Sequence, residues 1–174
     1  SFAGLALVGM NVAVLNAFIR PLVDGRLPDW LDARFFASTE ELYALAPEAG
    51  IGWFDSFALD STYEAARRGV KLKWLNTLAA GVDPFPLDLL RERGVVFTNG
   101  AGLNAVTIAE YAVMGMLVLA KGYRDVVRAQ EAHEWLTAAP GRKELFGSRA
   151  LIVGAGGIGG RIAELLQPFG VEVA

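Results

Sequence analysis

The sequence contains no cysteine, and that absence removes disulfide frameworks, thiolate metal sites and thiol nucleophiles together. It contains a single histidine, His133, too few imidazoles for a local metal cluster, so no metal is expected. A cationic excess is also lacking: 16 Lys and Arg stand against 19 Asp and Glu, a net charge of −3. Nucleic-acid binding usually leaves a footprint of clustered Lys and Arg, so no nucleic-acid partner is expected. No clean run of membrane length occurs. Residues 1–19 are apolar, but they lack a basic leader, are interrupted by Asn11 and Asn16, and close on Arg20-Pro21. A buried strand preceded by an N-terminal extension fits them better than a signal peptide or a span, and no membrane partner is expected. Met10 is a candidate natural start, with residues 1–9 an alternative start or an expression remnant. A cytoplasmic location is the default that remains.

What is present is enough apolar material for a core, 53% of 174 residues, and one stretch around which the rest is organised. Ala150-Leu151-Ile152-Val153 is short, apolar and partly β-branched, and it runs into Gly154-Ala155-Gly156-Gly157-Ile158-Gly159. Beyond it Ile158, Ile162, Leu165, Leu166 and Phe169 recur at helical spacing until Gly170, a natural helix stop. Strand, G-x-G-x-x-G and helix together form the context in which the motif reads as a dinucleotide-binding turn. Gly154 would allow the tight turn, Gly156 the approach of the phosphates, and Gly159 the packing of helix on strand. The pyrophosphate would then meet unpaired amides and the positive end of the helix dipole. A merely tight glycine-rich turn and a methyltransferase are the competing readings. The acidic residue expected about 20 residues beyond the glycines is not evident. Val171-Glu172-Val173-Ala174 looks like the next strand, and Glu172, alternating with valines, should face away from the core.

Upstream, apolar runs alternate with amphipathic segments, which predicts a parallel sheet with crossover helices. Strands are expected at 12–15, 33–37, 51–54, 72–78 and 95–98. A helix capped by Ser38 or Thr39 is expected after the second strand, one opened by Asp60 or Ser61 after the third, and one at 86–93 after the fourth. Five strands within about ninety residues make a flavodoxin-like α/β domain, whose ligands belong at the carboxyl ends of the strands.

Two of those ends stand out. The fourth strand leads into Ala79-Ala80-Gly81-Val82-Asp83-Pro84, either an ordinary strand-to-helix turn or one whose amides face an anion. The fifth leads into Asn99-Gly100-Ala101-Gly102-Leu103-Asn104, with Asn104 a plausible N-cap for an apolar helix at 105–121. With almost no polar face, that helix is expected to be buried on several sides, between domains or subunits. Glu110 on it fits a capping or interhelical ion-pair role better than catalysis. A charged helix is expected at 124–135, carrying His133 among Glu131 and Glu134, where a solvated His fits better than a catalytic base.

Asn76 to Asp83, Asn99 to Glu110 ending in T-I-A-E, Trp135, and E-L-F-G before L-I-V-G-A-G-G-I-G together resemble the D-isomer-specific 2-hydroxyacid dehydrogenases. The resemblance is strong over residues 70–174; the first seventy match only in their alternation. It implies a flavodoxin-like substrate domain (10–98) followed by the start of a Rossmann NAD(P)-binding domain (99–174), in a homodimer. It implies that the amides of Ala80, Gly81 and Val82 hold the carboxylate of a small 2-hydroxy or 2-oxo acid. It implies that Gly154, Ala155, Gly156, Gly157, Ile158 and Gly159 hold the pyrophosphate of NAD or NADP, and that Thr107 lies near the nicotinamide. The triplet that is usually V-A-E reads Ile108-Ala109-Glu110 here. The family's catalytic Arg, Glu and His lie downstream of the glycine turn and have no counterpart in these residues; His133 precedes the turn. The chain is therefore expected to be the N-terminal part of an NAD(P)-dependent oxidoreductase. A nucleotide-sensing, corepressor-like relative without turnover is the alternative.

Overall fold

The computed structural model describes residues 10–174, and the chain divides into two compact units, the first ending at Ala101 and the second formed by Gly102–Ala174. The extension expected at 1–9 lies outside the described residues.

In the first unit, β1 (Val12–Asn16), α1 (Arg20–Val23), β2 (Asp32–Phe36), α2 (Thr39–Leu45), β3 (Ile51–Trp53), α3 (Leu59–Arg68), β4 (Trp74–Asn76), α4 (Leu87–Glu92) and β5 (Val96–Thr98) follow one another. The strands form one parallel sheet in the order β2-β1-β3-β4-β5, the flavodoxin-like arrangement expected from the alternation. Val14 stands opposite Arg34 and Gly52, and Leu75 opposite Gly52 and Phe97. A parallel sheet is covered on both faces, which is why β1 reads as a continuous apolar run. Val14 joins Phe36, Phe54, Leu72, Leu75 and Leu90 in one core, while Ala13, Leu15 and Ile19 form the other with Ile51 and Trp53 against them.

Local chemistry sets the element ends. Ser38 caps α2, its hydroxyl accepting from the Glu41 amide, and the Glu41 carboxylate reaches back to the Ala37 amide. Asp60 and Ser61 do not cap α3. They lie inside its first turn, because the helix begins at Leu59 where the Ser56 hydroxyl accepts from the Ala58 amide. The fourth strand is shorter than the expected 72–78, since Leu78 turns its amide to the Asp55 carboxylate instead of the ladder.

In the second unit, α5 (Ala105–Ala120) and α6 (Tyr123–Glu131) are bent by 71° at a break where Gly122 has φ 59°. They precede β6 (Arg149–Ala150), α7 (Gly157–Leu166) and β7 (Glu172–Val173). β6 and β7 pair in parallel as a separate two-stranded sheet, so two sheets exist, as expected. The strand expected at 150–153 is only two residues long; beyond it the ladder continues through two further bonds, Ala174 N–H to the Ala150 carbonyl and Ile152 N–H to the Ala174 carbonyl, which set Ala174 opposite Leu151. Among the described residues no single helix is long and apolar enough to cross a membrane.

Within this unit α7 covers one flank of helix α5, where Ala109 and Val113 are buried, and Tyr111 and Leu119 are 72% and 81% exposed. Three expectations for this unit need correction. Asn104 occupies the N-cap position without making a capping bond, and exposed Glu110 makes no ion pair among the described residues. His133 is not on a helix. Helix α6 stops at Glu131, and His133 follows it in the left-handed region at φ 54°.

Candidate functional site

The glycine turn enters α7 with each of its three motif glycines under a different constraint. Gly154 has φ +103°, a backbone conformation that side chains disfavour. At Gly159 a Cβ would be driven into the Gly154 carbonyl oxygen and would sit 3.0 Å from Ile152 Cγ2, so only glycine lets helix and strand pack this closely. Gly156 is opposite in kind: a Cβ there would meet nothing within 4 Å. Neither its backbone, at φ −74° and ψ −169°, nor its packing requires glycine. Its smallness keeps space open in front of the helix.

Gly156 is also the N-cap of α7 and has no side chain to bond the first amides. The N–H groups of Gly157 and Ile158 therefore have no intrahelical acceptor and point out of the helix start. Gly154, Ala155, Gly156, Gly157 and Ile158 are exposed and Gly159 is buried beneath them. An anion of pyrophosphate size fits this arrangement: open space, free amides and a positive helix end. The start of α5 lies beside the turn, with Ala105 Cβ 3.9 Å from where a Gly157 Cβ would stand, and Thr107 is exposed on the first turn of that helix.

In the first unit, residues 77–82 divide sharply. Thr77 N–H donates to the Thr98 carbonyl, Leu78 N–H to the Asp55 carboxylate at 3.1 Å, and Ala79 N–H to the Thr77 hydroxyl at 3.1 Å. The next three amides, of Ala80, Gly81 and Val82, have no acceptor among the described residues. Ala80 and Gly81 are exposed and Val82 is half-buried. Three consecutive free donors at the carboxyl end of a parallel strand suit a carboxylate.

Sequence reasoning did not single out Asp55, Thr77 or Asn99, which hold this turn. The Asp55 carboxylate accepts from the Thr77 hydroxyl at 2.7 Å, the Asn16 amide group donates to the Asp55 carbonyl, and the Asn99 amide group donates to the Ala80 carbonyl at 2.8 Å. Their signal was position: each polar residue follows an apolar strand at its carboxyl end. Among the described residues no group of three or more His, Asp or Glu side chains could hold a metal ion.

Residues 113–174 match the family profile described as D-isomer specific 2-hydroxyacid dehydrogenase, NAD binding domain. The chain is 34% identical over 103 residues to the erythronate-4-phosphate dehydrogenase of Shewanella oneidensis, which is 59% of this chain and 23% of that one. With the same enzyme of Shewanella amazonensis it shares 30% over 102 residues, 59% of this chain and 22% of that one. Its fold matches a D-isomer specific 2-hydroxyacid dehydrogenase family protein from Aeromonas salmonicida at TM-score 0.75, with 24% identity over 93% of this chain and 51% of that one. Over residues 113–174 the chain is similar to the NAD-binding domain of the D-isomer-specific 2-hydroxyacid dehydrogenases, and its fold is like theirs. A D-lactate dehydrogenase from Aquifex aeolicus, solved with NAD and lactic acid, shares the fold at TM-score 0.70 and 20% identity over 94% of this chain and 50% of that one. The chain spans less than a quarter of the curated relatives it matches and about half of these solved structures. The family match includes the glycine turn and begins within α5.

Proposed function

We propose that the protein carrying this chain is an NAD(P)-dependent oxidoreductase that interconverts a small D-2-hydroxy acid and its 2-oxo acid. The observation that carries this reading is Gly156, a glycine that the fold itself does not require, standing before the free amides of Gly157 and Ile158. Residues 99–174 serve as the nucleotide-binding part and residues 10–98 as the substrate domain. When bound, the cofactor supplies or accepts the hydride at the substrate's C2. The chain's own residues bind and orient. Gly154 to Gly159 receive the pyrophosphate, Thr107 borders the nicotinamide, and the amides of Ala80, Gly81 and Val82 hold the substrate carboxylate. A group that transfers the proton is not among these; the family's Glu and His acid–base pair, like its catalytic Arg, lies after the glycine turn. Either NAD or NADP is compatible with the turn, and Glu172 is exposed on β7 between half-buried valines. A cytoplasmic homodimer completes the reading, supported by the apolar face that α5 leaves uncovered.

The test is NADH and NADPH consumption by the full-length protein with glyoxylate, hydroxypyruvate and 2-oxobutyrate, and the reverse reaction with 4-phosphoerythronate and D-lactate. Turnover of at least one D-acid pair, with the L-acid inert, is the expected result. Tight nucleotide binding without turnover of any acid would favour the corepressor-like alternative.

A further inference from the structure

We infer that Asn99 and the Asp55–Thr77 pair are positioning residues that clamp the 80–82 turn from two sides and fix the direction of its free Ala80 and Gly81 amides. The inference rests on the reading of this turn as the carboxylate site and adds how the site is preformed. In a planar trans peptide the carbonyl and the N–H of one unit point in opposite directions. Holding a carbonyl therefore fixes the direction of the next residue's amide. The Ala80 carbonyl is held by the Asn99 side chain at 2.8 Å, which turns the Gly81 N–H away from Asn99. The Ala79 carbonyl is held by the Gly100 N–H at 3.0 Å, which fixes the Ala80 N–H in the same manner. Both restraints come from the segment that follows β5.

The other restraint comes from the segment that follows β3. Thr77 is 1% exposed, and its hydroxyl donates to Asp55 Oδ1 while accepting from the Ala79 N–H. With its proton committed to the carboxylate, the hydroxyl is held in the orientation that presents a lone pair to Ala79. Asp55 Oδ2 meanwhile takes the Leu78 N–H. The turn is thus satisfied up to residue 79 and left open from residue 80, a boundary set by three side chains that need not touch the substrate themselves. Preorganised donors of this kind strengthen anion binding because little ordering remains to be done when the anion arrives.

The experiment uses full-length protein with Thr77→Val, Thr77→Ser and Asn99→Ala, steady-state kinetics with glyoxylate, inhibition by oxalate, NADH affinity by fluorescence, and thermal melting as the folding control. Valine fills the space of threonine without the hydroxyl, while serine keeps the hydroxyl. Thr77→Val and Asn99→Ala should each raise KM for glyoxylate and Ki for oxalate roughly tenfold, with kcat changed less than about twofold and NADH affinity unchanged. Thr77→Ser should stay within about twofold of the parent. If KM and Ki do not move in folded Thr77→Val and Asn99→Ala, the clamp is overturned while the carboxylate reading stands. If Thr77→Ser is as impaired as Thr77→Val, the hydroxyl does not aim the turn and the clamp is likewise overturned. A parent protein that binds NADH but neither glyoxylate nor oxalate would overturn the carboxylate reading and the clamp with it.

Discussion

The unit ending at Ala101 and the unit beginning at Gly102 use similar amounts of apolar sequence to different effect. The first buries Phe36, Phe54, Leu42, Leu72, Leu75 and Leu90 at 2% exposure or less. In the second the buried apolar side chains are Ala109, Val113, Ala129 and Leu166, and Leu119, Trp135, Phe146, Leu151 and Val153 face outward. A five-stranded sheet with helices closes a core on itself, whereas a two-stranded sheet with three helices does not. An apolar groove of about 610 Å³ lies along α5, α6 and α7, lined by Val113, Met114, Leu117 and Leu165 among others. The lesson is that an apolar segment reports the need for a partner without reporting where the partner is. The same composition is core in one unit and bare surface in the other.

The comparison makes its largest demand on core substitutions. Leu75→Ala, at a fully buried position between β3 and β5, should cost about 2–5 kcal/mol, whereas Leu119→Ala, 81% exposed on α5, should cost under about 0.5 kcal/mol. Chemical denaturation of both variants of the 174-residue chain, followed by tryptophan fluorescence, measures this. Equal losses would mean that the second unit is covered in solution. A hydrophobic dye offers a coarser check: it should bind the 174-residue chain, and Leu119→Lys with Leu151→Lys should reduce the signal.

The smallest effect belongs to the surface of the first unit. Lys71 hydrogen-bonds Glu48 at 2.7 Å, and this bond, aided by the charge of Lys71, holds the Glu48 carboxyl below its usual range. A carboxyl with a lowered folded pKa adds stability that is present above the unfolded value and lost as pH falls through the folded one. Glu48→Gln should therefore lower the melting temperature slightly at neutral pH and not at all in strong acid, a difference kept small because both side chains are exposed to solvent. A deficit in Glu48→Gln that grows on acidification would contradict the assignment.

Much of this was legible in the sequence, and the exceptions have physical causes. The strand and helix alternation and the glycine turn could be read because both depend on local patterns: β-branched runs, helix stops and glycine spacing. The Ser38 cap was legible for the same reason. The ends of β4 and the start of α3 were not, because side chains far apart in sequence decide them: Asp55 takes Leu78 out of the ladder, and Ser56 sets the first turn of α3. The candidate anion turn was legible as a run of small residues, but its clamp was not, since Asp55, Thr77 and Asn99 meet only when β3, β4 and β5 lie side by side. His133 was misplaced because helical periodicity continues past Glu131 while the backbone does not.

The claim that the open space at Gly156 exists for a dinucleotide is tested most directly by two glycine substitutions in full-length protein, with NADH affinity and melting temperature measured together. Gly156→Leu should abolish NADH binding while melting within a few degrees of the parent, because its side chain enters empty space in front of the Gly157 and Ile158 amides. Gly159→Leu should lower both, because its Cβ meets the Gly154 carbonyl. Undiminished NADH affinity in a folded Gly156→Leu protein would contradict the account.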